Sequence, residues 1–246
     1  MLKIITLVTK FILVALAAIL FSSCNQIGNW NSIEGSGNIT TEIRKIDGNF
    51  TSVEVNNSID LIIEQSKITE ITVEADDNLQ EHITTTIENG TLIISWNENS
   101  SMDSNAIKVR VKMPVIEELE ATSNSNISSK NTLTGENIRL HSSSGATINL
   151  NLEAEIVNCD SSSGSTMVVS GKALKISTIA SSGSQITAVQ LLANEVNADV
   201  SSGASISVHP IVNLVAEASS GGSITYDIQP RKTKKFVSSG GTITKS

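Results

Sequence analysis

The 246 residues carry 17 basic and 25 acidic side chains, a formal charge of −8. That balance excludes a nucleic-acid partner, because neutralising phosphates needs a basic surface. Hydrophobic residues make up 39% and aromatics only 3%, so any core is thin and aliphatic; recurring Ile and Val positions exclude a disordered chain all the same.

Residues 1–23 read as an address. Lys3 and Lys10 give a basic start, Phe11–Leu20 an apolar run, and Phe21-Ser22-Ser23 leads into Cys24. The run is shorter than the about 20 apolar residues that a membrane-crossing helix needs. It resembles a bacterial lipoprotein signal with its lipobox, with Phe21 where the commonest pattern has Leu. The resemblance implies cleavage before Cys24, diacylation of that cysteine, and a membrane partner held through the lipid, with the outer membrane as the expected site and its periplasmic and surface faces both open. An ordinary cleaved signal with an incidental cysteine is the alternative. Lipid on Cys24 leaves Cys159 without a disulfide partner, and Cys159 reads as a buried packing residue. Loss of residues 1–23 removes Lys3 and Lys10 and no acid, taking the formal charge from −8 to −10. Residues 24–34 read as a short tether.

Residues 35–121 alternate in the strand manner without a regular repeat: Val53 and Val55, Ile59-Leu61-Ile63, Ile71 and Val73, Leu92-Ile94-Trp96, and Ile107-Val109-Val111-Met113. Asn89-Gly90 predicts a type I′ hairpin turn. Asp76–Ile83 fits one short helical turn, and Asn97–Asn105 a polar loop. Asp76-Asp77-Asn78 reads as a turn with solvated acids rather than a cation site. This part is expected to begin a solenoid in wider coils, with Asn124-Ser125-Asn126-Ile127 as a degenerate first copy of the regular repeat unit.

In residues 122–246 one phrase recurs six times: Ser-Ser-Gly ending at Gly145, Gly164, Gly183, Gly203, Gly221 and Gly240, at spacings of 19, 19, 20, 18 and 19. A fixed period near 19 is the mark of a repeat architecture. Three residues after each glycine stand Ile148, Met167, Ile186, Ile206, Ile224 and Ile243. Seven before it stand Ile138, Val157, Ile176, Val196, Leu214 and Thr233. Apolar residues alternate with polar ones on both sides of the glycine, which is strand periodicity. The prediction is an all-β, single-stranded parallel β-helix: each unit is one coil of two or three short strands, and the glycine is a structural corner that a Cβ would obstruct. Arg231, Lys232, Lys234 and Lys235 fall in the last coil. They read as protection of an open strand edge, or as a basic contact patch for an anionic glycan or lipid head group.

Cys24, the stretch Phe50–Leu61, Val73–Leu79, Asn89–Ile94 and the Ser-Ser-Gly repeats together resemble the family described as "putative auto-transporter adhesin, head GIN domain", found largely in Bacteroidetes lipoproteins. The similarity runs from about Ile46 to Val237. It implies a β-helical or β-roll fold in a secreted, envelope-associated protein, and it brings no catalytic residues.

The residues themselves offer little catalytic chemistry. His82, His141 and His209 are far apart in sequence without metal-ligand spacing, no nucleophile-elbow or phosphate-loop phrase occurs, and neither a metal nor a cofactor is expected. Asp199 and Glu217 share an outward column in adjacent coils, at about the 5 Å separation of a retaining glycosidase pair, but a flat coil wall gives no cleft. What is plentiful is hydroxyl. Thr147, Thr166, Thr187, Ser205, Ser207, Ser223, Thr225, Thr242 and Thr244 all point outward beside the corners. A rigid strip of them at roughly 4.8 Å spacing fits hydrogen bonding to a glycan or a protein ligand. The same composition also suits a bare scaffold face. The expected function is therefore a lipid-anchored envelope adhesin. A structural component assembling end to end as a homo-oligomer, and a glycan-active enzyme using Asp199 and Glu217, are the alternatives.

Overall fold

Each Ser-Ser-Gly phrase folds into the same tight turn. In the computed structural model, which describes residues 32–96, 101–103 and 107–246, the second serine and the glycine both have left-handed backbone, at φ 52° and 75° for Ser144-Gly145 and 52° and 72° for Ser182-Gly183. The residue after the glycine donates its N–H back to the first serine's carbonyl, as Ala146 to Ser143 at 3.1 Å. This is the type I′ arrangement. The glycine N–H donates across to the turn of the next coil, as Gly145 to the Ser163 carbonyl at 3.1 Å, so the turns are themselves a ladder. Five of the six corner glycines are kept for their backbone angle and not for lack of room: a Cβ at Gly164, Gly183, Gly203, Gly221 or Gly240 would meet nothing within 4 Å, whereas one at Gly145 would run into the Asn124 side chain. That corrects the steric reading of the corner.

In chain order the first strands are β1 (Ser32–Glu34), β2 (Ile39–Arg44), β3 (Ser52–Val55), β4 (Asp60–Gln65), β5 (Glu70–Asp76), β6 (Ile83–Glu88), β7 (Thr91–Trp96), β8 (Ser101–Asp103) and β9 (Lys108–Met113). Then come β10 (Glu118–Ala121), β11 (Asn126–Ser129), β12 (Leu133–Ser142), β13 (Thr147–Ser161), β14 (Thr166–Ala180), β15 (Gln185–Val200), β16 (Ser205–Ala218), β17 (Ser223–Tyr226), β18 (Lys232–Val237) and β19 (Thr242–Lys245). β1 and β8 pair in parallel as a small unit of their own. The rest is the β-solenoid, about seven turns at about 19-residue spacing preceded by a less regular part.

The regular coils are simpler than expected. Instead of a few short strands, β13 to β16 each run for 14 to 16 residues around both faces of a coil. Between β13 and β14 the parallel register runs from Thr147↔Thr166 to Ser161↔Ala180, missing only the step at Glu155 and Leu174. Inward residues stack into unbroken columns. One runs Val109, Leu61, Ile127, Ile148, Met167, Ile186, Ile206, Ile224, Ile243, buried throughout except at the last coil. Because each coil covers its neighbour's aliphatic layer, stability is a nearest-neighbour property.

The same columns pass through the N-terminal part, in an order the chain does not follow. β3 and β4 pair with β10 and β11 on one side and with the later strands β7 and β9 on the other. Asn57 and Ser58, at φ 62° and 59°, form the turn between β3 and β4, and Ser123 and Asn124 form the next. Outside this stack β5 lies antiparallel on β9, and β2 antiparallel on β5. β6 folds back on β7 through Asn89-Gly90, both with positive φ. The short helical turn is 3-10, Gln80–His82. Asp76 and Asp77 are not merely solvated: Asp76 accepts the Gly37 N–H at 2.8 Å, and Asp77 accepts from the Ser36 hydroxyl and the Asn38 amide. The Ser36 bond first, then that from Asn38, holds the Asp77 carboxyl below the usual range. Of the stretch Asn97–Asn105 only Ser101–Asp103 is described, as β8. The leader 1–23, Cys24 and the tether as far as Asn31 lie outside the described residues.

Candidate functional site

The solenoid presents two outer walls, one on each side of the Ser-Ser-Gly turns. On the first, the register sets Thr147, Thr166, Gln185, Ser205, Ser223 and Thr242 on successive rungs of one outward column. Asn149, Val168, Thr187, Ser207, Thr225 and Thr244 make the column beside it. All nine hydroxyl residues singled out from the sequence therefore stand on two adjacent columns, none of them buried. Some hydroxyls bond along the column, as Ser207 with Thr225 at 2.8 Å and Thr242 to Ser223 at 3.1 Å. Backbone hydrogen bonds fix every rung, so the spacing does not depend on what the side chains contact.

The second wall is charged. Its column runs Glu54, Glu120, His141, Asp160, Ile179, Asp199, Glu217 and Phe236. His141 lies between two carboxylates, with Nε2 at 4.0 Å from Glu120 Oε1 and Nδ1 at 3.9 Å from Asp160 Oδ2. Burial pushes the Glu120 carboxyl up; His141 opposes that shift, and Glu54 and Glu118 add to it. In the neighbouring column Arg139 holds Glu118 at 2.9 Å. A shallow groove of about 280 Å³ lies over Arg139, His141, Asp160 and Ile179. Asp199 and Glu217 occupy adjacent rungs as the spacing requires, on open wall between the exposed Ile179 and Phe236. Glu54 and Glu120 escape a sequence reading because they fall in the irregular part. A local signal does exist: Val53-Glu54-Val55 and Leu119-Glu120-Ala121 each precede a turn.

The other titratable candidates stay apart. His209 pairs with Asp227 at 2.8 Å and His82 lies at 3.8 Å from Glu81. Among the described residues no group of three His, Cys, Asp or Glu side chains is placed to hold a metal ion. Cys159 is buried, and burial pushes its thiol up to about 12, so the reactive thiolate is absent at neutral pH. Two further features carry no sequence signal. Leu174, Leu192 and Ile211 are exposed and line a groove of about 410 Å³ together with Glu153 and Lys172. A cleft of about 460 Å³ lies between Pro114–Glu117 and Thr134–Asn137. Among the described residues no helix is long and apolar enough to cross a membrane.

Comparison with known proteins agrees with this architecture. The family model described as "putative auto-transporter adhesin, head GIN domain" matches residues 49–230. A crystal structure of a putative adhesin from Bacteroides fragilis superposes with a TM-score of 0.81 at 19% identity, covering 87% of this chain and 100% of that one. One from Parabacteroides merdae, also described as a putative adhesin, gives 0.71 at 21% identity over 88% of this chain and 99% of that one. A Parabacteroides distasonis structure described as a putative lipid binding protein gives 0.75 at 20% identity over 88% and 100%. At these identities the likeness is one of fold. No curated protein matches the chain.

Proposed function

We propose that this chain, which belongs to the family described as "putative auto-transporter adhesin, head GIN domain", is a lipid-anchored binding module that holds its ligand along the hydroxyl strip of its first wall. The family is adhesin-like, which fits a protein of the cell envelope or surface. The observation that carries the finer reading is the register: two adjacent columns keep Thr, Ser, Asn and Gln on nearly every rung, with Val168 the exception. A glycan or protein surface that meets such an array loses its own freedom, but the array loses none, and that preorganisation is where affinity comes from. The anchor reading rests on Cys24 and the apolar run before it.

The alternatives fare less well. End-to-end assembly needs an apolar, uncharged last coil, whereas β18 carries Lys232, Lys234 and Lys235. An enzyme built on Asp199 and Glu217 needs a cleft to exclude water and distort a sugar, and these two stand on a wall.

A screen of the full chain, in non-ionic detergent, against arrayed glycans and extracellular-matrix proteins tests the proposal beside the variant with Thr147, Thr166, Thr187, Thr225 and Thr242 changed to Lys. The expected result is binding by the parent and its loss in the variant, with matched circular dichroism. Equal binding by both, or none by the parent, sinks it.

A further inference from the structure

The last coil has a charge unlike that of the rest of the molecule. From Ile228 to Ser246 there are five cations, Arg231, Lys232, Lys234, Lys235 and Lys245, and no acid. That +5 leaves −13 on the remainder of a chain whose total is −8. All five are exposed. Elsewhere Lys108, Lys112, Lys130, Arg139 and Lys172 each lie within ion-pair distance of a carboxylate; among the described residues none of the five cations has such a partner, and outside the last coil the cations in that position, Lys67, Arg110 and Lys175, are scattered.

Two of the five have a structural explanation. Lys235 and Lys245 stand opposite the buried Ala216 and Tyr226 in columns that point inward in every earlier coil. The Lys235 ammonium sits 4.7 Å from the centre of the Tyr226 ring. They cover the end of the core and put charge on its open edge. Lys232 and Lys234 also charge that edge strand, but they stand opposite Asn213 and Val215 on its outward side and cover none of the core.

Strand periodicity places Lys232, Lys234 and Phe236 on one side of β18, each roughly 6.6 Å from the next. Phe236 is 54% exposed. Two unpaired ammonium groups followed by an open aromatic face make a narrow ribbon suited to a thread-like ligand that carries both negative charge and apolar ring faces. We propose that the last coil binds an anionic polysaccharide, with Arg231, Lys232 and Lys234 meeting its carboxylate, sulfate or phosphate groups and Phe236 stacking on a sugar ring. The acidic remainder of the solenoid repels the same polymer and confines it to this end. The polymer's site is also remote from where the chain enters the solenoid. Gly35 leads into β2, outermost at the other pole beyond β5 and β9, roughly 48 Å away at 4.8 Å per rung.

The test is retention of the full chain, in non-ionic detergent, on immobilised heparin and on neutral dextran over a range of salt. A protein of net negative charge has no general reason to bind heparin, so retention reports the basic pole. Expected is retention on heparin alone, with a salt slope that falls by about one for each cation removed in the triple variant R231Q/K232Q/K234Q, and weaker retention for Phe236→Ala at unchanged slope. The variant K108Q/K172Q/K175Q, which removes three cations elsewhere, should behave as the parent. No retention of the parent at low salt overturns the proposal, as does equal loss in both triple variants, or binding to phosphatidylglycerol vesicles without binding to heparin. None of these residues belongs to the hydroxyl strip, so the two readings fail separately.

Discussion

Gly183 and Gly171 look alike in sequence and do different work. A Cβ at Gly183 meets open space, and only its φ of 72° resists a side chain. At Gly171, φ is 116° and a Cβ would collide with the Leu152 carbonyl oxygen of the preceding coil. Gly183→Ala should therefore cost about 1–2 kcal/mol, the left-handed penalty alone. Gly183→Asn should cost less, because Asn tolerates that region and Asn124 holds the corresponding turn position of an earlier coil at φ 59°. Gly171→Ala should cost about 3 kcal/mol or more, strain and overlap together. Denaturant melts of the three variants decide it, and a Gly183→Ala as damaging as Gly171→Ala would show that the turn is held by sterics after all. The repeat phrase made Gly183 legible. Nothing local marks Gly171, whose constraint comes from a backbone 19 residues earlier that only the register brings close.

At the level of elements, the coils that announce themselves are those whose turn contains glycine. Asn56-Asn57-Ser58 between β3 and β4 is the same left-handed turn without one, so the coil of residues 52–65 does not read as a repeat. Its place in the stack, between β10–β11 and the later β7–β9, follows no rule of sequence order; it follows from which apolar layers need covering. The strand alternation of this part, the Asn89-Gly90 hairpin and the degenerate turn at Ser123-Asn124 were readable because each depends only on neighbours in the chain. The last coil shows how an element ends a solenoid: its inward columns switch to Thr233, Lys235 and Lys245. Changing Lys235 and Lys245 to Val restores the apolar columns and leaves a flat open edge. Sedimentation velocity should then show association that grows with concentration, relative to the parent at the same concentration. An unchanged distribution would mean that these lysines do not guard the edge.

For the whole molecule, the hydroxyl strip and the basic pole share one origin. Parallel register turns a sequence period into a spatial column, so any residue type repeated every 19 positions becomes a line on the surface and any break in the pattern becomes a pole. The strip was legible for that reason. The charged wall through Glu54, Glu120, His141 and Asp160 was not, because half of it is supplied by coils out of period. If register is what organises the surface, removing one complete period should preserve it. Deleting Thr166–Ser184 joins Ser165 to Gln185 and sets Thr147 opposite Gln185, the pairing that each has with its present neighbour Thr166. The shortened chain should keep its β circular dichroism and a single cooperative melt, because stability in such a stack is local to neighbouring coils. Small-angle scattering should find it shorter by about 4.8 Å. Deleting only Thr166–Lys175 removes half a coil, carries inward residues to outward positions across the break, and should abolish the cooperative melt. Were the full-period deletion to unfold as readily as the half-period one, the coils would not be the independent units that their register implies.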